Sequence, residues 1–200
     1  MATTTEEPNK CYICFDGESE QCKFMDPNLC ACRGSIKIHN HCLFELLTNK
    51  EEKTTCNICK IFYTFPDGPF KWYYSNGLVA AEGNYGNSMY QGLWKFYYLH
   101  GTLRCEQVWK DNIPNGLSKH YSPGGELYSE QIYENGTKAG VWKFYYHNGS
   151  VRSEETYKNG KKEGICKYYH DCGLLYHELV YRNDVVIYRK VHYDIISPSA

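Results

Sequence analysis

Cys11, Cys14, Cys30, Cys32, His39, Cys42, Cys56 and Cys59 follow one another with spacings C-x2-C, C-x-C, H-x2-C and C-x2-C. Thiolates and imidazoles are the donors that a zinc ion takes four at a time in a tetrahedron. Two donors two or three residues apart can reach one ion from a single loop. The eight residues therefore predict two bound Zn2+ ions. Their order is that of a cross-braced finger, in which alternate pairs share an ion. Cys11, Cys14, His39 and Cys42 would hold the first ion, and Cys30, Cys32, Cys56 and Cys59 the second. The competing reading of the same residues is a set of buried thiol pairs or disulfides.

Several neighbours of these donors bear on what the finger does. Leu43, Leu46 and Leu47 fall at i, i+3 and i+4, one face of a short helix. They either cover the zinc loops or line a groove. Ile13 lies between the first two donors, where a loop tip would leave an aliphatic side chain exposed beside that groove, as a docking site requires. His41 adjoins His39; the H-x2-C spacing selects His39, with a swap of ligand as the alternative. Cys22 has no base paired with it in sequence and is not read as a nucleophile. Cys166 and Cys172 read as packing or edge residues.

The chain has 200 residues, enough for one large domain or two small ones. A finger of about sixty residues has little core of its own and needs its metal to fold. Structural zinc supplies on the order of 10–16 kcal/mol of apparent folding free energy in small fingers. Eleven cysteines behind a polar, acidic N-terminus with no apolar leader point to a reducing compartment. The expected location is cytoplasmic, with the nucleus left open. Formal net charge is −1, and seven thiolates with two divalent ions make it more negative. No basic field argues for nucleic acid. No apolar run is long enough to cross a bilayer.

From residue 66 onward the sequence repeats with a period of 24. Gly68, Gly92, Gly116, Gly140 and Gly164 form one series, and Gly77, Gly101, Gly125, Gly149 and Gly173 another. Lysines recur from Lys71 to Lys167, tyrosines from Tyr73 to Tyr169, and glutamates from Glu82 to Glu178. An aromatic closes each unit at Tyr85, Trp109, Tyr133, Tyr157 and Tyr181. Aromatic-rich runs such as Trp94-Lys95-Phe96-Tyr97-Tyr98 favour strands, and His100-Gly101, Gly124-Gly125 and Asn148-Gly149 suit two-residue primed turns. Each unit thus reads as a β-hairpin. With Asn76 and Gly77 at the turn, Lys71 faces Glu82, and the same pairing recurs in every unit. The sequons at Asn135 and Asn148 read as turns rather than glycosylation sites.

Alternation puts Phe70, Trp72, Tyr74, Val79 and Ala81 on one apolar face, and lysine, glutamate and the recurrent tyrosine on the other. The apolar face is expected to be covered by a partner, by a second copy in a homodimer, or by curling of the array. The third unit breaks it with Ser118, His120 and Ser122, either a locally weaker core or a ligand-facing notch. The segment from Asp184 to Tyr193 loses the glycine anchor and reads as a capping strand, which repeat arrays need at their ends. The predicted organisation is a finger over residues 1–65, five hairpin repeats with their cap over 66–194, and a tail over 195–200. The fold class is a small zinc-stabilised α+β finger followed by an all-β antiparallel sheet of hairpins.

The repeat array resembles MORN-type repeats in their longer form, G-x-W-K-x-Y-Y-x-x-G-x-L-x-x-E-x-x-Y-x-N-G, over about 125 residues. The resemblance implies an antiparallel sheet used as a binding or dimerisation surface, with no enzymatic activity of its own. The finger has Cys11-Tyr-Ile-Cys14, the run from Cys30 to His39, His39-Asn-His-Cys42-Leu43 and Cys56-Asn-Ile-Cys59-Lys60, and resembles the RING-CH class over about residues 8–65. A PHD finger would carry tryptophan where this chain has Thr54. The resemblance implies a RING-type ubiquitin-protein ligase that recruits a ubiquitin-conjugating enzyme and forms no covalent intermediate. By position, Ile13 and the helix around Leu46 would meet the conjugating enzyme, and Lys60 would contact the donor ubiquitin. Membrane-associated members carry transmembrane helices after the finger, where this chain carries its repeats, so the array is expected to select the protein substrate. The layout points to a viral protein acting in a host cell. The family usually has tryptophan where Leu46 stands, which leaves a non-catalytic interaction scaffold as the alternative. A lipid-binding scaffold is disfavoured by the near-neutral charge.

Overall fold

The computed structural model describes residue 25, residues 38–48 and residues 63–192. Among these, α1 (Asn40–Thr48) is followed by β1 (Gly68–Tyr73), β2 (Val79–Gly86), β3 (Met89–Tyr97), β4 (Leu103–Lys110), β5 (Ile113–Tyr121) and β6 (Leu127–Glu134). β7 (Thr137–Tyr145), β8 (Val151–Lys158), β9 (Lys161–Lys162), β10 (Gly164–Tyr169), β11 (Leu175–Arg182) and β12 (Val185–Val191) complete it. Strand order follows chain order, and the two-residue β9 pairs with β8 beside the main path. The fold is a small finger followed by an antiparallel sheet of hairpins. Two compact units divide the chain, one of residues 1–90 with 97–101, the other of residues 91–96 with 102–200.

The predicted register holds. Lys71 faces Glu82 in the first hairpin, Lys119 faces Glu130, Lys143 faces Glu154, and Lys167 faces Glu178. The second hairpin closes the same pair, with Lys95 Nζ 3.6 Å from Glu106. The glutamate of one hairpin also faces the lysine of the next, as Glu106 with Lys119, Glu130 with Lys143 and Glu154 with Lys167.

The turns differ from the sequence reading. Where a two-residue primed turn is expected at Asn76-Gly77, the Tyr74 amide donates to Leu78 O (2.8 Å) and the Gly77 amide to Tyr74 O (3.0 Å). Gly77 has φ +80° and Asn76 does not enter the left-handed region. This is a three-residue loop, a type I turn closed by a left-handed glycine. Its extra residue appears as the register shift between Trp72 and Tyr73. The same pattern recurs at Gly125, Gly149 and Gly173. The two-residue primed turns instead join one hairpin to the next. Asn87-Ser88, Asp111-Asn112, Asn135-Gly136, Asn159-Gly160 and Asn183-Asp184 all have positive φ at both residues. Asn135 and Asn148 both lie in turns, as read.

The first glycine series serves a different purpose. Gly116 sits at φ +122°, and a Cβ there would lie 3.1 Å from Val108 Cβ. At Gly140 a Cβ would lie 3.2 Å from Ile132. The glycine permits both the left-handed bulge and the lean of the previous strand's aliphatic over it.

The two faces sort as predicted. In the first unit Trp72 and Ala81 are buried, and in the second unit Trp94, Cys105, Trp142 and Cys166 are buried. Trp142 is closed in by Tyr133, Tyr157 and Phe144, with Lys138 Nζ 4.6 Å above its ring. Side chains of neighbouring hairpins thus cover Trp142 on this face, while Phe70, Tyr74, Phe96 and Tyr98 stay half-buried. On the opposite face each glutamate accepts a bond from the next unit's tyrosine. Tyr97 donates to Glu82 (2.6 Å), Tyr121 to Glu106 (3.0 Å), Tyr145 to Glu130 (2.8 Å) and Tyr169 to Glu154 (3.0 Å). The capping strand is present as β12. There His192, not a tyrosine, meets Glu178 at 3.0 Å, and Lys190 takes the lysine position at 3.8 Å.

Removing the Tyr145 hydroxyl leaves the Glu130 carboxylate one donor short. Tyr145→Phe is expected to cost about 1 kcal/mol in denaturant unfolding at pH 7. Burial, then the Glu130 bond, pushes the Tyr145 phenol up to about 12. A phenol whose folded pKa is raised contributes stability below its unfolded pKa near 10 and loses it as pH climbs towards the folded value. The Phe variant's deficit should therefore shrink between about pH 10 and 12; an unchanged deficit would remove Tyr145 as the source.

Candidate metal centre and the surfaces around it

His39 precedes α1 and Cys42 lies in its first turn, a spacing that puts both side chains on one side of the helix. The helix begins with the Leu43 amide donating to His39 O (3.1 Å), and the Met25 amide donates to Ile38 O (2.7 Å). The ligand atoms of His39, His41 and Cys42 all lie within 4.8 Å of one another. Cys42 Sγ is 3.2 Å from His41 Nε2, and the His39 and His41 rings stack with centroids 5.3 Å apart. A thiol and imidazoles converging at this range fit a zinc ion. Spacing selects His39 as the ligand, and the fold also brings in His41. Cys11, Cys14, Cys30, Cys32, Cys56 and Cys59 lie outside the described residues, as do Ile13, Cys22, Lys60 and the side chain of Leu46.

The helix that carries these donors is also fastened to the first hairpin. Asn40, between the two expected ligands, donates from Nδ2 to Lys71 O (3.1 Å) and accepts at Oδ1 from the Tyr73 amide (2.8 Å). These are main-chain groups on the outer edge of β1, so Asn40 does for that edge what another strand would do. Phe44 packs on Trp72 and Tyr74, with centroids 5.5 and 6.1 Å away. Leu43 is buried, as the leucine stripe predicts. At the junction Phe65 stacks on Tyr85 (4.7 Å) and meets Phe70 and Trp72 edge-on. The Asn87 amide donates to Asp67 Oδ1 at 2.6 Å. The sequence reading missed Asn40, Phe44 and Phe65; the one local signal was a capping-type residue immediately before the apolar run.

The polar break in the third hairpin is closed. Ser118 and Ser129 are fully buried. Ser118 Oγ lies 3.0 Å from His120 Nε2 and 3.9 Å from Cys105 Sγ, and Gln131 Nε2 donates to Ser129 Oγ (3.2 Å). Tyr133 donates to Gln131 in turn (3.0 Å). These groups satisfy one another, so Ser118 and His120 form a polar patch of core rather than an open notch. Burial, aided by the Arg104 charge, lowers the His120 pKa, and burial raises the Cys105 and Cys166 thiols. Cys166 is a packing residue, as read, whereas Cys172 is exposed in the turn between β10 and β11 rather than packed or at a strand edge.

With this geometry in place, comparison with protein families is specific. The RING-variant domain matches residues 11–59, and the MORN repeat variant matches residues 66–87, 90–111, 114–135 and 138–159. No curated protein matches the chain. The finger is thus of a class that binds metal and other proteins, and the array is of a class associated with protein interaction. No helix among the described residues is long and apolar enough to cross a membrane.

Asn40→Ala removes the acceptor of the Tyr73 amide. Hydrogen exchange at that amide should quicken by about tenfold or more while zinc content is retained; unchanged exchange would mean the clamp is not formed in solution. For His120, a lowered pKa means that the unfolded chain takes up a proton first as pH falls below about 6.5. The Tm of the wild type should therefore drop more between pH 7.5 and 5.5 than that of His120→Gln. Equal drops would exclude His120 as the sensitive group.

Proposed function

We propose that the chain is a RING-type ubiquitin-protein ligase in which the finger recruits a ubiquitin-loaded conjugating enzyme and the repeat array selects the protein to be modified. The observation that supports this most is the eight-donor order within the RING-variant match, with His39, His41 and Cys42 converging where a metal would sit. Cys11, Cys14, His39 and Cys42 would hold one zinc ion, and Cys30, Cys32, Cys56 and Cys59 a second. The ions, when bound, crosslink loops that have too little core to fold alone. Ile13 and the helix around Leu46 would meet the conjugating enzyme, and Lys60 would steady the donor ubiquitin. No residue of the chain need form a bond to ubiquitin. Holding the thioester in an attack-ready arrangement is an orientation effect, and well-oriented intramolecular reactions reach effective molarities of about 10⁵ M and above. The clamp between α1 and β1 supports such a role, because it fixes the finger to the first hairpin of the array.

Leu46, where the family usually has tryptophan, favours a second reading, a non-catalytic scaffold that binds partners through finger and array. Reconstitution separates the two. The protein with activating enzyme, a panel of conjugating enzymes, ubiquitin and ATP should form chains, and chelation should abolish them. Metal analysis should give two zinc per chain. His39→Gln should lose one of them and His41→Gln should keep both. Ile13→Ala should keep both ions and lose most activity. A folded, zinc-loaded protein inactive with every conjugating enzyme would leave the scaffold reading.

A further inference from the structure

The two edges of the sheet are treated differently. On β1 the outward-facing Lys71 carbonyl and Tyr73 amide are taken by Asn40. On β12 no described strand pairs with the outer side. All seven residues of β12 are exposed, including Val185, Val186, Ile187, Tyr188 and Val191, with Val185 at 63% and Tyr188 at 57%. A long apolar edge strand carries a row of main-chain donors and acceptors ready to pair with another strand.

The direction of that row can be read from the inner side. The His192 amide donates inward to Tyr176 O (2.9 Å), and Lys190 faces Glu178 across the β11–β12 pair. By alternation the Arg189 amide and carbonyl point outward. Along the charged face Lys119, Lys143 and Lys167 each lie between two glutamates, one in its own hairpin and one in the strand before. Lys190 ends this row with Glu178 on its inner side and no acid from any described residue on its outer side. Arg189, on the other face, meets His177 Nε2 at 2.8 Å.

We propose that the outer edge of β12 takes an extended acidic segment of a partner protein as an added antiparallel strand, with an acidic residue opposite Lys190, a second opposite Arg189, and aliphatic residues opposite Tyr188, Ile187 and Val186. Main-chain bonds supply affinity in this mode, and side-chain complementarity supplies choice. The added acid continues the alternation that the sheet already uses. A second copy fits poorly, because β12 holds Arg189 and Lys190 and no acidic residue. Self-pairing in the register that aligns Arg189 and Lys190 of both copies would gather four basic side chains with no acid on the added strand, which discriminates against that pairing while an acidic strand is admitted. The proposal builds on the array as selector, but binding is read without conjugating enzyme, so failure of the ligase assay and failure of this site are separate results.

The test uses the zinc-loaded full chain and capped seven-residue peptides with two glutamates followed by valine and isoleucine residues. Binding is followed by fluorescence anisotropy and by amide shifts in β12. The glutamate peptide should bind, weakening as salt is raised. Its lysine counterpart and an analogue N-methylated at alternate residues should each bind about tenfold or more weakly. Lys190→Gln, a mild change on an exposed side chain, should weaken the glutamate peptide about threefold or more without changing the Tm. The proposal is overturned if glutamate and lysine peptides bind alike, if N-methylation has no effect, or if the glutamate peptide fails to shift β12 amides at about millimolar concentration. A concentration-dependent dimer in sedimentation that excludes the peptide would give the edge to a second copy and overturn it equally.

Discussion

Each hairpin is joined to the next by one carboxylate. The glutamate of a unit takes the lysine opposite it and the tyrosine hydroxyl of the following unit, so a single side chain ties three strands. Glu130 shows the chemistry. The Tyr145 bond first, and the Lys119 charge after it, hold its carboxyl below the usual range, while burial, with the same contact behind it, pushes the Tyr145 phenol the other way. The tie works only if the tyrosine arrives on the glutamate's face, and a one-residue slip would send it to the other. This accounts for a period of 24 kept through five units without an insertion. It also accounts for the left-handed glycine beside each bulge, which lets the strands stay in phase after the extra residue.

The finger depends on a similar economy. Asn40 stands between His39 and Cys42, so the segment that a metal would order is the segment that closes the β1 edge. Phe44, one helical turn on, reaches Trp72. Binding a metal and seating the first hairpin are therefore linked through one short helix, which has no helix-stabilising charge at either end and is too short to persist alone. The link fixes the segment carrying His39 and Cys42 against the first hairpin in distance and direction.

The register and the faces were legible because they rest on period-two alternation and on charge pairs repeated five times. The turns were misread for a physical reason. Asn-Gly satisfies a primed turn, and a lone left-handed glycine satisfies a type I turn with a bulge; only the pairing on both sides of the loop separates them. At Asn76 the glycine is the only left-handed residue, whereas at Asn135 both residues are. His192 in place of a tyrosine at Glu178 breaks the strict period and could not be found by counting. Asn40 and Phe44 went unread because their partners on β1 lie far along the chain, and a capping-type residue before an apolar run does not announce that its side chain bonds a strand's backbone; Phe65 was missed although Phe70 and Trp72 are close to it in sequence. For the metal centre, spacing selects His39, but it has no term for a neighbour such as His41 that folds into the same place.

The unequal edges follow from the same logic of finite repeats. Every hairpin offers its successor a glutamate and a strand edge, and nothing in the repeat itself tells the array to stop. At the start, α1 stops it by putting a side-chain amide where a strand would be. At the end, the repeat simply runs down. β12 keeps the lysine of the row, replaces the tyrosine by His192, loses the glycine, and brings aliphatics to the surface on both faces. With both edges open, the sheet would grow without limit. With both closed, it could recruit nothing by strand pairing. Among the described residues this sheet has one of each, and the basic pair on the open side turns an edge that would otherwise invite its own copies into one that asks for the opposite charge.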